Sequence, residues 1–120
     1  MLQADRDIEQ LRLIAGYCKR LDRTLEFFGD DEGSFFKQTP FQDSCALVLI
    51  QIGEAVNRLS DDFKDSHPQI SWHSIYGMRN HLVHAYGLFD KEVCWDAIHN
   101  DVPALKSFCE GVINSTTDVC

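Results

Sequence analysis

The chain has 120 residues, of which 44% are hydrophobic and 25% charged, and its formal net charge is −8. This length predicts a single domain, and this composition excludes a wholly disordered chain. The acidic balance argues against a protein that coats nucleic acid non-specifically, because neutralising phosphates requires a basic surface. Any contact with nucleic acid is therefore expected to be local.

The N-terminal half of the sequence predicts two long helices. Residues 5–28 place apolar side chains at steps of three or four, which is typical of an amphipathic helix. The stretch GDDEGSFFKQTP (29–40) predicts a loop, because it combines glycines, acids and a proline. A second helix is expected from about Pro40 to Lys64, with Thr39 as its cap. Residues 45–52 are apolar nearly all round, which predicts burial at the centre of a bundle or at a subunit interface.

The C-terminal half predicts two further helices. A third helix is expected from about Ser71 to residue 84 or 86, with Gly87 as its C-terminal cap. Asp90 is the expected cap of a fourth helix, which Pro103 should kink near residues 99–102. The tail from about residue 115 is expected to fray.

No segment shows the alternation of a strand, and residues 1–120 therefore predict one all-α domain, an antiparallel bundle of four to five helices. Within the second helix, Gln51 and Gly53 are expected to allow a close approach of another helix. The N-terminus has no apolar segment typical of a signal peptide, and the longest apolar run is too short to span a bilayer. A cytoplasmic protein with reduced, mostly buried thiols is expected, because the cysteines are odd in number and show no C-x-x-C spacing. They are Cys18, Cys45, Cys94, Cys109 and Cys120.

Polar side chains are concentrated in the otherwise apolar stretch GMRNHLVHAYG (77–87). On a helix Asn80 and His84 are neighbours, as are His81 and His84, because they lie four and three residues apart. Arg79 lies about 140° around the helix axis from His84. One copy of the helix therefore makes an incomplete site, which a second copy across a two-fold axis could complete.

These residue types suit cleavage of an RNA phosphodiester. An arginine fork matches phosphate oxygens, and a histidine moves a proton near neutral pH. The attacking oxygen would be the substrate's own 2′-hydroxyl, so no metal is required. The alternative interpretation is a hydrogen-bond network that only positions the helix. A zinc site at His81 and His84 is disfavoured, because no cysteine or paired carboxylate lies nearby in the sequence.

The pattern R-N-x-x-x-H-x-Y, from Arg79 to Tyr86, resembles the R-x-x-x-x-H-x-Y motif of the HEPN superfamily. More narrowly, the chain resembles the HepT toxins of the HEPN/MNT toxin–antitoxin systems, over roughly residues 40–106. The segments that carry the resemblance are IGEAVNRLS (52–60), HPQISWHSIYGMRNHLVHAY (67–86), D-x-x-V-x-W (90–95) and DVPAL (101–105).

This resemblance implies a homodimeric all-α bundle in which two motifs face one cleft. It implies a toxin that is a metal-independent endoribonuclease without a cofactor, with Arg79, Asn80 and His84 as catalytic residues. His81 is a possible accessory residue. It further implies a cognate antitoxin, a minimal nucleotidyltransferase of the MNT type, which silences the toxin by transferring AMP to Tyr86. The alternative is a non-catalytic adaptor or substrate-binding subunit of such a nucleotidyltransferase.

Overall fold

The computed structural model describes residues 3–84 and 90–118, with His84, Thr117 and Asp118 described by their backbone alone. These ranges contain helices and no strand, which confirms the all-α prediction. The helices are α1 (Gln3–Phe28), α2 (Glu32–Lys37), α3 (Thr39–Arg58), α4 (Asp61–Ser66), α5 (Trp72–His84), α6 (Lys91–Asp96) and α7 (Val102–Asp118), with a π-helical turn at Ala97–Asp101. None of the helices described is both long enough and apolar enough to cross a membrane.

Helices α1 and α3 pack antiparallel and form the centre of the bundle. Arg58 donates to Gln10 at 3.2 Å near one end of the pair, and Phe28 stacks on Phe41 at 4.7 Å near the other. Between these contacts the two helices bury a continuous apolar core. Its fully buried members include Leu11, Ile14, Cys18, Leu21, Cys45, Leu49, Ile52 and Val56.

The stretch predicted as a loop at residues 29–40 contains helix α2, so that prediction is wrong in part. Asp31 caps the helix by accepting from the Ser34 amide at 2.9 Å. Phe35 is fully buried, and its ring lies 5.1 Å from that of Trp95. The Asp31 cap and the buried Phe35 ring stabilise this short helix more than the glycines and acids disfavour it. A short helix forms readily once its unpaired amides and its apolar face find partners.

The predicted end of the second helix is also wrong, because α3 stops at Arg58 instead of continuing to Lys64. Ser60 begins α4 by accepting from the Phe63 amide at 3.1 Å. The Ser60 amide and hydroxyl in turn donate to the buried carboxylate of Asp7, at 2.8 and 2.7 Å. A tertiary contact with α1 therefore fixes the break between α3 and α4.

The predictions for the last helix are largely confirmed. Asp90 accepts from the Val93 amide at 3.1 Å and caps α6. The π-helical turn at Ala97–Asp101 directly precedes the segment that holds Pro103, where an irregularity was expected. Proline lacks an amide and crowds the carbonyl four residues earlier, so the regular hydrogen bonding cannot continue through it. Helix α7 extends to Asp118, past the point where fraying was predicted.

The four described cysteines have free and fully buried thiols, as the sequence predicted. Burial raises the pKa of the Cys18, Cys45 and Cys109 thiols to about 12. Protonated thiols of this kind pack as small apolar groups and are poor nucleophiles. Cys120 lies outside the described residues.

Candidate functional site

Helix α5 presents Arg79 toward α3, where three groups hold its guanidinium. Its Nε and Nη2 both donate to Glu54 Oε1 on α3, at 3.1 and 2.5 Å. Its Nη1 donates to Asn80 Oδ1 at 2.7 Å, and its Cζ lies 5.7 Å from the centre of the Tyr76 ring. The Arg79 side chain keeps 20% of its surface exposed. The arginine is therefore fixed in direction and still open to solvent.

A buried glycine makes this close approach of α3 and α5 possible. A Cβ atom built at Gly53 would lie 2.3 Å from Arg79 Cβ and 2.7 Å from Arg79 Cγ. Contacts that short do not occur between real side chains, so any larger residue would force the two helices apart. The prediction that Gly53 allows close helix packing is confirmed.

The ion pair shifts both of its members toward the charged form. The hydrogen bond and the charge of Arg79 lower the pKa of Glu54, and the hydrogen bond to Glu54 raises the pKa of Arg79. Arg58 adds a longer contact to Glu54, at 3.9 Å. Within the described residues, these bonds use three of the five N–H groups of the Arg79 guanidinium. Two N–H groups remain to bind an anionic oxygen.

The structure brings only part of the predicted site together. Asn80 is half-buried and bonded to Arg79. His81 is exposed, with its Nε2 3.9 Å from Asp90 Oδ2. His84 is the last residue of α5, and its side chain is outside the description. Tyr86 lies outside the described residues, so its predicted role is untested.

Glu54 is the member of the site that the sequence did not predict. It lies within the predicted second helix, where the sequence assigned it no partner. A useful signal was the pair Gly53–Glu54, because a glycine beside a lone acid in an apolar helix indicates a close crossing with a polar contact. The pattern could not name Arg79 as the partner, since the two residues are 25 positions apart and meet only through the packing of α3 on α5.

Exposed apolar side chains occur on α1, α3 and α5, and those on α3 and α5 share a helix face with Glu54 and Arg79. Leu47 on α3 is 54% exposed, Leu13 on α1 is 45% exposed, and Val83 on α5 is 39% exposed. Val83 lies one turn after Arg79 on the same helix face, and Leu47 lies two turns before Glu54 on its face. Half of the apolar segment predicted for the centre of a bundle or an interface, residues 45–52, is buried within the protomer. Leu47 is its exposed member.

An all-α bundle that carries a braced arginine at the start of an R-N-x-x-x-H motif defines a HEPN-like protein. The family model described as "Ribonuclease HepT-like" matches residues 14–112, and the chain belongs to this family.

Two similar relatives carry names of the same kind. "Probable ribonuclease HepT" of Thermococcus cleftensis is 41% identical over 70 residues, which are 58% of this chain and 62% of that protein. "Putative RNase MJ1380" of Methanocaldococcus jannaschii is 31% identical over 87 residues, which are 72% of this chain and 80% of that protein. The chain thus spans less than two thirds of the first relative. No solved structure shows a significant match.

Proposed function

We propose that the chain is a metal-independent endoribonuclease that acts in the cytoplasm as the toxin of a toxin–antitoxin system. Its site would combine Arg79, Asn80 and His84 of two protomers in one cleft. The observation that carries this proposal is the Arg79 guanidinium, which Glu54 and Asn80 fix while two of its N–H groups stay available for a phosphate. This arrangement occurs within the motif of a HepT-like chain.

The reaction follows from the chemistry of these groups. His84 takes the proton of a ribose 2′-hydroxyl, and the oxygen attacks the adjacent phosphorus. Arg79 stabilises the negative charge that builds on the non-bridging oxygens. A second imidazole, from the partner's motif or from His81, protonates the departing 5′-oxygen. The P–O5′ bond breaks, leaving a 2′,3′-cyclic phosphate on one product and a 5′-hydroxyl on the other.

A homodimer would complete the site, because one copy of α5 places Arg79 and His84 about 140° apart around its axis. The exposed side chains of Leu47 and Val83, on the helix faces that carry Glu54 and Arg79, supply an apolar surface for the pairing. A two-fold axis through this surface would bring both arginines to one cleft, because a symmetric interface uses the same patch on each protomer.

A minimal nucleotidyltransferase would act as the antitoxin by modifying Tyr86. The tyrosine oxygen attacks the α-phosphorus of ATP, an O–P bond to AMP forms, and pyrophosphate leaves. The added phosphate would put negative charge two residues from His84, where the RNA phosphate must bind. The tyrosine at the last position of the R-N-x-x-x-H-x-Y motif, Tyr86, supports this step. An intact-mass shift of one or more adenylyl groups that maps to Tyr86 tests it, and a Tyr86→Phe variant should show no shift.

Incubation of the purified protein with single-stranded RNA in EDTA tests the nuclease. We expect cleavage with 2′,3′-cyclic phosphate ends, lost in Arg79→Ala and His84→Ala. The matched controls are Arg6→Ala and His73→Ala, since both replace exposed residues outside the motif. No cleavage by the unmodified protein would refute the nuclease and favour the adaptor.

A further inference from the structure

One face of α1 carries an exposed row of cations that ends in an aromatic ring. The helix positions of Arg12, Lys19, Arg20, Arg23 and Phe27 fall within about 100° of arc and extend over about 22 Å. All five residues are exposed. We call this row the α1 basic stripe.

The cations of the α1 basic stripe have no acidic partner in the part of the chain that the structure describes. The neighbouring Asp22 is engaged elsewhere, since it accepts from Lys106 Nζ on α7 at 2.7 Å. Two exposed acids flank the stripe, Glu9 one turn before Arg12 and Glu26 at its edge. In a chain with a net charge of −8, four unpaired cations on one face form a local positive field that attracts an anionic ligand.

The C-terminal end of the α1 basic stripe borders a shallow, open cavity. Arg20, Arg23 and Phe27 line a cavity of about 420 Å³ together with Thr24, Phe28 and Ser44. The Phe27 side chain is 83% exposed.

The cavity wall contacts this exposed ring through Phe28. The Phe27 ring meets Phe28 edge to face at 4.9 Å, and Phe28 stacks on the buried Phe41. Arg20 is oriented over the ring of Tyr17, with 5.9 Å from its Cζ to the ring centre. An exposed aromatic surface therefore lies beside two guanidinium groups.

Guanidinium groups beside an exposed aromatic ring match the chemistry of a single-stranded nucleic acid. The cations neutralise phosphates and the ring stacks on a base. A protein partner would have to supply both an acidic patch and an apolar pocket, whereas every nucleotide already carries a phosphate and a flat base. This inference presupposes the proposed function as a ribonuclease, and the single-stranded ligand is therefore RNA.

We propose that the α1 basic stripe is a second contact surface for single-stranded RNA, separate from the R-N-x-x-x-H motif. Helix α3 packs against both α1 and α5, which carry the stripe and Arg79 respectively. Only a long strand could contact both the stripe and the motif. The stripe therefore contributes to the binding of long substrates and not to the chemical step.

Fluorescence anisotropy with labelled single-stranded RNA tests this contact in a His84→Ala background, where the probe would not be cleaved. The double change Arg20→Ala/Arg23→Ala should reduce the slope of log affinity against log salt by about 1.4, or about 0.7 for each phosphate contact. Phe27→Ala should weaken binding about five- to hundredfold through lost stacking. Arg6→Ala is the matched control and should bind as the parent protein does.

Cleavage assays with the same changes in otherwise unaltered protein separate binding from chemistry. We expect a raised KM for long RNA, with kcat and the cleavage of very short RNA unchanged. RNA affinity and salt dependence that stay at the parent values in the stripe variants would overturn the inference. If the stripe variants kept the parent RNA affinity but no longer bound the nucleotidyltransferase, the stripe would be a protein-docking surface instead. Stripe-dependent RNA binding without cleavage by the unaltered protein would support the inference and refute the nuclease.

Discussion

Replacing Gly53 with alanine should disturb the candidate site through a single methyl group. The added Cβ would lie 2.3 Å from Arg79 Cβ, whereas apolar atoms pack at about 3.5–4.0 Å. Helix α5 must therefore shift by about 1 Å or more from α3. Overpacking of this kind costs about 1–3 kcal/mol, which opposes the gain of about 1 kcal/mol from a better helix former.

The matched control is Gly77→Ala in α5, because a Cβ atom there meets nothing within 4 Å. Only the gain in helix propensity should remain, so this variant should be about 0.5–1 kcal/mol more stable than the parent. The difference in the free energy of unfolding between the two variants isolates the steric cost, about 1–3 kcal/mol. Thermal or urea unfolding followed by circular dichroism measures it, with roughly 4 °C in Tm for each kcal/mol.

The Gly53→Ala variant should also lose RNA cleavage beyond its loss of stability. A displacement of about 1 Å at a catalytic group can reduce the rate about a hundredfold, and Arg79 is the residue that the methyl group contacts. Gly77→Ala should keep the parent rate. If the two variants were equally stable and equally active, the close crossing of α3 and α5 would be wrong, and the bracing of Arg79 with it.

Three further perturbations test other contacts. Asp7→Ala should lower the free energy of unfolding by about 1–3 kcal/mol in urea titrations, because the amide and hydroxyl of Ser60 lose their buried acceptor; parent stability would contradict this contact. Glu54→Gln should lower kcat for RNA cleavage while the protein stays folded, since a neutral amide holds Arg79 less firmly; an unchanged kcat would show that the ion pair does not position the arginine. Burial raises the pKa of the Cys45 thiol from 9.0 to about 12, so the folded state holds this proton more tightly than the unfolded state. The thiol's contribution to the free energy of unfolding is therefore complete below pH 9 and falls by about 1.4 kcal/mol per pH unit between pH 9 and 12. The free energy of unfolding of Cys45→Ala should therefore fall less steeply with pH in this range, as alkaline unfolding curves would measure.

The long helices could be predicted from the sequence, because their signals are local. Apolar spacing indicated α1 to within a few residues, and Asp90 marked the start of α6 by its cap. The break after Arg58 could not be predicted, since it depends on Ser60 bonding to Asp7, which lies 53 positions away. Helix α2 was missed because the burial of its aromatic face depends on α3 and α6, which the composition of the loop does not reveal.

In the candidate site, too, the local features could be predicted and the contacts between helices could not. Arg79 and Asn80 were predicted as site residues from the motif, but their hydrogen bond was not, because adjacent positions on a helix point about 100° apart. Glu54 was missed because it reaches Arg79 only across the packed helices, at a distance set by the missing side chain of Gly53. Spacing along one chain predicts which groups share a helix, but it does not predict which group on another helix supplies the counter-charge.

The most direct test of the composite site is a mixing experiment. Unaltered protein and an Arg79→Ala/His84→Ala variant are refolded together at varying ratios, and RNA cleavage in EDTA is followed. If both protomers supply residues to one cleft, activity falls with the square of the unaltered fraction, to about one quarter at an equal mixture. A linear fall to about one half would mean that each protomer cleaves by itself, and it would contradict the shared cleft.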